Sequence, residues 1–202
     1  MSALVRGDSP VLPVADDDAP LRRGKNARRS VCPQLSVLGA ALSGMATWQE
    51  FGEQAPETAA RAFARFEAHR HKTMATIRAD GSPRISGTEV TIARGEVWLG
   101  GMTGNRRFAD LRRDPRVAIH SASEDPDVWT GDAKLAGRAT EVTDDAGRAA
   151  FSGSLEEAPP GDFELFRVDL AEVVVVRLSE AKDHLLIDVW RDGEPVRTME
   201  RT

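Results

Sequence analysis

From Thr47 onward, apolar positions fall first at helical and then at strand spacing, while residues 1–44 follow neither rhythm. Thr47 with Glu50 has the form of a capping box at a helix start, and Pro56 suits the first turn of a second helix. In that second helix Ala59, Phe63 and Phe66 mark an apolar stripe, and the pattern carries it to about Arg70. The period then shortens to two. Thr73–Ile77 and Pro83–Ile92 read as strands joined at Asp80-Gly81, a strong hairpin signal, and Arg94-Gly95 turns the chain into a third strand, Glu96–Gly101. Further strands are expected at Arg116–Ser121, Asp132–Val142, Phe163–Leu178 and Asp183–Arg191. Thr143 and Asp144 can cap a brief helix ending near Ala150, and a loop follows over Glu156–Gly161. The run Val173–Val176 suggests a strand buried on both faces. Six or seven strands joined mostly by hairpins, with a few peripheral helices, make a mainly β (α+β) fold: an antiparallel barrel or a sheet closed on itself.

Between the third strand and the next helix lies Gly100-Gly101-Met102-Thr103-Gly104-Asn105-Arg106-Arg107-Phe108. The glycines permit backbone conformations denied to other residues and let a ligand approach the main chain. Asn105 is a good N-cap, so the amides after it are free donors at the positive end of a helix. Two arginines follow at once. Free amides beside paired guanidinium groups describe an anion site, most naturally one for phosphate. The competing reading makes Arg106, Arg107, Arg112 and Arg113 the solvated face of a short helix.

Composition narrows the function classes. The chain has 202 residues, 41% hydrophobic and 29% charged, and carries a net charge of -5. It therefore has no general electrostatic drive toward nucleic acid. No apolar run approaches the ~18 residues that span a bilayer, so a membrane is not an expected partner. A lone cysteine, Cys32, rules out an intramolecular disulfide and a cysteine-rich metal site, which fits a reducing, cytoplasmic setting. The histidines His69, His71, His120 and His184 are scattered, so no metal site is expected. Residues 1–44 hold six Lys/Arg against four Asp and few periodic apolar positions. They read as a disordered extension, or as sequence lying before a natural start at Met45, ahead of a single domain over 45–202.

The order of elements, with three of its segments, resembles the pyridoxamine 5'-phosphate oxidase-like split β-barrel superfamily, which includes flavin- and deazaflavin-dependent oxidoreductases. Thr73–Ser86 is similar to that group's first hairpin, Gly104–Val117 to its motif after the third strand, and Lys134–Ala139 to a later strand. The likeness spans about residues 47–191. It implies an antiparallel split β-barrel, an oxidoreductase acting on a small conjugated or aromatic molecule, and a homodimer with the cofactor at its interface. It also implies that the motif after the third strand holds the phosphate of FMN. Carried over by position, Asn105 stands for the usual Ser, Arg106 matches the Arg, Arg107 replaces the usual Lys, and Phe108 stands where a small residue is common. Ser86 and Thr88, on one face of the adjoining strand, are candidates for ring contact, with Gly87 allowing close approach. Met102, Thr103 and Lys134 complete the candidate cofactor-binding set. If the cofactor is instead an 8-hydroxy-5-deazaflavin, Arg112, Arg113 and Arg116 are the cations available for its acidic tail. The alternative class is a non-enzymatic flavin- or haem-binding protein on the same barrel; if haem, His120 or His184 would be its ligand. No catalytic acid or base is assigned; Glu89 reads better as a solvated strand residue.

Overall fold

The computed structural model describes residues 45–155 and 161–202. The expectations for 1–44, and for all of the 156–161 loop except Gly161, lie outside the described residues. Helices α1 (Trp48–Gln54) and α2 (Pro56–Glu67) lead into strands β1 (Lys72–Ile77), β2 (Pro83–Thr88), β3 (Thr91–Ala93) and β4 (Glu96–Met102). Helix α3 (Arg106–Arg113), strands β5 (Arg116–His120) and β6 (Gly131–Glu141), and helix α4 (Asp145–Ser152) follow. Strands β7 (Phe163–Leu178), β8 (Leu185–Arg191) and β9 (Arg197–Arg201) complete the chain.

Every pairing among these strands is antiparallel, and the sheet has nine strands rather than six or seven. Two physical reasons account for the difference. Gly193, at φ +72°, turns the C-terminal segment back onto β8 as an extra strand. The strand expected over Pro83–Ile92 is broken at Glu89 and Val90, because its halves pair with opposite ends of the sheet. The order is β2-β1-β5-β6-β7-β4-β3, with β8 and β9 branching from β7. Since β2 and β3 lie at the two ends of that order and are joined only through Glu89 and Val90, the ends must curl toward one another. The closure is covalent and not a hydrogen-bonded ladder, which is the meaning of a split barrel here.

Strand β7 is the spine. Its first part, Phe163–Val168, pairs with β4; its second, Glu172–Leu178, pairs with β8; β6 runs along both. A bulge sits at Ala136/Gly137. A side chain at Gly137 would place its Cβ 2.0 Å from the Asp169 carbonyl, so only glycine fits. Val173, Val175 and Val176 are buried and Val174 is half-buried, close to the expected doubly covered run.

The first two helices cover the barrel. Thr47 and Glu50 form the full capping box, and Phe51 packs 4.5 Å from the Trp190 ring. In α2 the buried face is Thr58, Ala59, Ala62 and Phe66, whereas Phe63 is 41% exposed and lies beside Trp48. The helix stops at Glu67, short of Arg70, where Lys72 folds back to donate to the carbonyls of His69 and Arg70. That lysine is buried, and burial lowers its proton affinity, partly opposed by Glu67 and Glu89.

Helix α3 is fixed to the other end of the sheet by one carboxylate. Asp110, with its side chain 5% exposed, accepts from Thr76 Oγ1 of β1 at 2.9 Å, from Arg84 Nε of β2 at 2.6 Å and from Arg113 Nη2 at 3.2 Å. Burial alone would raise its pKa; the bonds from Arg84, Thr76 and Arg113 outweigh that and hold it below the usual aspartate range. A depressed folded-state value means that the stabilisation is complete above the unfolded aspartate pKa of about 3.9 and is lost as pH falls from there through the folded value. Asp110→Ala leaves Arg84 without its partner and should destabilise the fold by about 3–5 kcal/mol at neutral pH. Urea unfolding should show that gap at pH 7 and see it shrink as the pH is taken below 4.

Candidate functional site

The turn leaving β4 builds an open helix end. Gly104 takes φ +80°, and Asn105 occupies the N-cap position of α3. Its side chain does not cap the helix: Nδ2 donates instead to the Met102 carbonyl at 2.9 Å, which closes the turn from outside. The Asn105 carbonyl takes the amides of Phe108 and Ala109 at 3.0 and 3.2 Å. The amides of Arg106 and Arg107 have no backbone partner among the described residues.

Arg107 is held back along this turn. Its Nη1 donates to the Gly87 carbonyl of β2 at 3.0 Å, and its guanidinium lies 4.8 Å from the centroid of the Phe108 ring. Phe108 is buried and stacks on Phe166 at 4.9 Å, which fixes the shelf on which the arginine rests. Arg107 Nε is buried without a hydrogen-bond partner. Burial holds this guanidinium below the usual arginine range, with the charge of Glu164 pulling the other way. It remains a cation at neutral pH, with one donor buried and unused.

Beside it opens a cleft of about 670 Å³, set in the split between β2 and β4. Gly87, Thr88 and Glu89 form one side and Gly100, Gly101 and Met102 the other, with Asn105 and Arg107 at the turn. Phe151, Leu155 and Phe163 add an apolar wall, and Arg70 and His71 border it from the turn before β1. Arg70 pairs with Glu89 at 2.9 Å. Among the described residues Arg107 has no carboxylate within ion-pair distance. The volume, the apolar wall and the single uncommitted cation suit a flat ring system with an anionic end.

Five of the sequence candidates therefore meet at one place: Gly87, Thr88, Met102, Asn105 and Arg107. Four do not line the cleft. Ser86 does not line it, although alternation puts it on the face of β2 that carries Thr88, which does. Thr103 and Arg106 are exposed at the turn and the first helical position. Lys134 shares a cross-strand row with Gly87, Thr73 and His120, three strands away from β2, and its ammonium pairs with Asp132 at 3.0 Å. Arg70, His71, Phe151, Leu155 and Phe163 carry no local sequence signal, because they reach the cleft through tertiary packing; for the first two it is the β1–β2 register, which sets Lys72 opposite Thr88, that brings the turn before β1 to the cleft.

The remaining basic groups are committed elsewhere. Arg112 pairs with Glu141 and with Glu164 at 2.7 Å, Arg113 with Asp110 and the Ile77 carbonyl, and Arg116 with Asp114 at 2.6 Å. His120 contacts the Ser121 carbonyl through Nδ1 and stands 3.6 Å from Asp132 through Nε2, while His184 Nδ1 is 2.6 Å from Asp183. Neither histidine lines the cleft. Among the described residues no group of three His, Cys, Asp or Glu is placed to hold a metal ion, and no helix is long and apolar enough to cross a membrane.

Residues 57–177 match the sequence model of the family described as Pyridoxamine 5'-phosphate oxidase. No curated protein matches the sequence. Several solved structures are similar to this chain over part of its length. A pyridoxamine 5'-phosphate oxidase-related, FMN binding protein of Nostoc punctiforme is 15% identical, with 72% of this chain and 96% of that one covered and a TM-score of 0.49. PhzG of Burkholderia lata, solved with tetrahydrophenazine-1-carboxylic acid, is 13% identical, with 76% and 92% covered and a TM-score of 0.49. A heme binding protein from Mycobacterium smegmatis is 20% identical, with 69% and 57% covered and a TM-score of 0.45.

The crowding around Gly101 can be tested without any ligand. A Cβ there would lie 2.8 Å from Arg107 Nη2 and 2.9 Å from Phe108 Cε2, whereas one at Gly87 would meet nothing within 4 Å. Gly101→Ala should cost about 1–3 kcal/mol of stability through overpacking, and Gly87→Ala should change it by no more than about 0.5 kcal/mol. Chemical denaturation of the two variants compares them directly; equal effects would mean that the shelf is not tight.

Proposed function

The chain belongs to the pyridoxamine 5'-phosphate oxidase family, and from that membership and the chemistry of the cleft we propose that it binds FMN and acts as an FMN-dependent oxidoreductase on a small conjugated or aromatic substrate. The observation that carries the reading is Arg107, a half-buried cation whose Nε is buried and unpartnered, beside two open amides at the start of α3. These donors would hold the phosphate. Gly87, Thr88 and Met102 would border the ring, with Phe151 and Phe163 shielding it from water. When bound, the flavin supplies the hydride chemistry; the chain positions it, excludes solvent and sets the local field.

FMN fits the available cations better than a deazaflavin with an acidic tail. Arg112, Arg113 and Arg116 would each have to leave a carboxylate partner to meet such a tail. A haem would have to be ligated away from the cleft if His120 or His184 served.

We also propose that the chain works as a homodimer. Ile85, 75% exposed on β2, continues a cross-strand row through Ala75, Ala118 and Ala136, which presents a smooth, small-residue outer face. Met102, 79% exposed at the cleft rim, is a second apolar group whose cover a partner would provide.

Purified protein should show the absorbance of oxidised flavin or take up added FMN with quenching of its fluorescence. Arg107→Ala should weaken FMN binding by at least ~2 kcal/mol, about thirtyfold, as expected for lost charge-assisted bonds. Arg106→Ala, which leaves its amide in place, should change affinity much less. Equal affinity for the wild type and Arg107→Ala would remove the phosphate assignment.

A further inference from the structure

Building on the FMN reading, we propose that Arg112 is a positioning residue for the phosphate site, acting by holding the Glu164 carboxylate away from Arg107. Glu164 stands directly opposite Gly101 in the β4–β7 register, and Gly101 is the residue against which Arg107 Nη2 packs. Its side chain is only 11% exposed. Oε1 accepts from Arg112 Nη2 at 2.7 Å, while Oε2 is buried with no partner. Arg107 Nε is likewise buried with no partner. Two orphaned groups of opposite charge therefore flank one glycine without bonding to each other, although the guanidinium feels the carboxylate's field.

In a partly dry site such a pair is driven together unless something restrains it. Arg112 is that restraint. Its Nε donates to Glu141 Oε2 at 2.8 Å and its Nη2 contacts Glu141 Oε1, so the guanidinium is tethered to the end of β6 as well as to Glu164. It also lies 5.6 Å from the centroid of Phe166, the ring on which Phe108 stacks. The two arginines thus rest on one stacked pair of phenylalanines, with Glu164 committed to Arg112. Arg112 has two effects: it offsets a carboxylate that would repel an incoming phosphate, and it keeps Arg107 free to receive one.

The experiment is a binding titration with FMN and with riboflavin, which lacks the phosphate, on the wild type, Arg112→Ala, and Arg112→Ala combined with Glu164→Gln. Arg112→Ala should bind FMN on the order of tenfold more weakly, from the unscreened charge of Glu164, and riboflavin as before. The added Glu164→Gln change should restore FMN affinity. An ion pair that only stabilises the fold would shift both ligands together and would not be rescued by removing a second partner. Unchanged FMN affinity in Arg112→Ala, parallel loss of both ligands, or absence of rescue would each overturn the role given to Arg112 while leaving FMN binding intact. Failure of the wild type to bind FMN would overturn both readings.

Discussion

Asp110 lets a helix that starts at one end of the sheet be fastened to the other. The chain enters α3 directly from β4, yet the three bonds on this carboxylate come from β1, β2 and α3 itself. Without hydrogen bonding between β2 and β4, the split in the barrel would be bridged only by Glu89 and Val90 and by packing. The Asp110 clamp seats α3 so that Arg107 reaches across the split, from its packing against Gly101 to the Gly87 carbonyl of β2. A buried ion pair is weak evidence for net stability, but it is strong on geometry, because an uncompensated Arg84 or Asp110 is so unfavourable that the helix has few alternative seats.

The distribution of charge follows from that seat. Acidic residues outnumber basic ones in this chain, and most of the arginines around α3 are matched to a carboxylate. Arg84 and Arg113 answer Asp110, Arg112 answers Glu141 and Glu164, and Arg116 answers Asp114, whose carboxyl is held at about 2 chiefly by that guanidinium. Arg107 differs from these neighbours in being directed at backbone and ring rather than at a carboxylate. A cation kept partly dry and free of a counter-ion is poised for an anion, since little has to be rearranged or desolvated when one arrives.

How much of this could be read from residues alone depended on the range of the interaction involved. Local signals were legible: the capping box at Thr47, the turn at Asp80-Gly81, the helix begun at Asp144 and the open end after Asn105 are each settled within a few residues. The break at Glu89-Val90 was only half legible: the apolar positions change phase between Ile85 and Val90, but only long-range pairing decides that the two halves belong to different edges. The sorting of the arginines was not legible. In sequence Arg106, Arg107, Arg112 and Arg113 are two similar pairs; in space one of the four is turned into the cleft, and helix phase together with the position of distant carboxylates makes the choice. Phe63 shows the same limit at smaller scale, since the stripe of α2 is rotated toward Thr58 and Ala62, and no local rule fixes that rotation.

The departures from the family motif at this turn form one packing solution. Arginine at 107 and phenylalanine at 108 read as separate irregularities where a lysine and a small residue are usual. Here the planar guanidinium lies along the Phe108 ring, and the missing side chain of Gly101 leaves the space into which both fit. A lysine, with a compact ammonium on a flexible stem, would gain less from the ring and would not be held in a plane by it. The large residue at 108 therefore orients the arginine, and the glycine at 101 admits the pair. Loss of any one member removes the reason for the other two, so the three positions should be judged together when this turn is compared with those of its relatives.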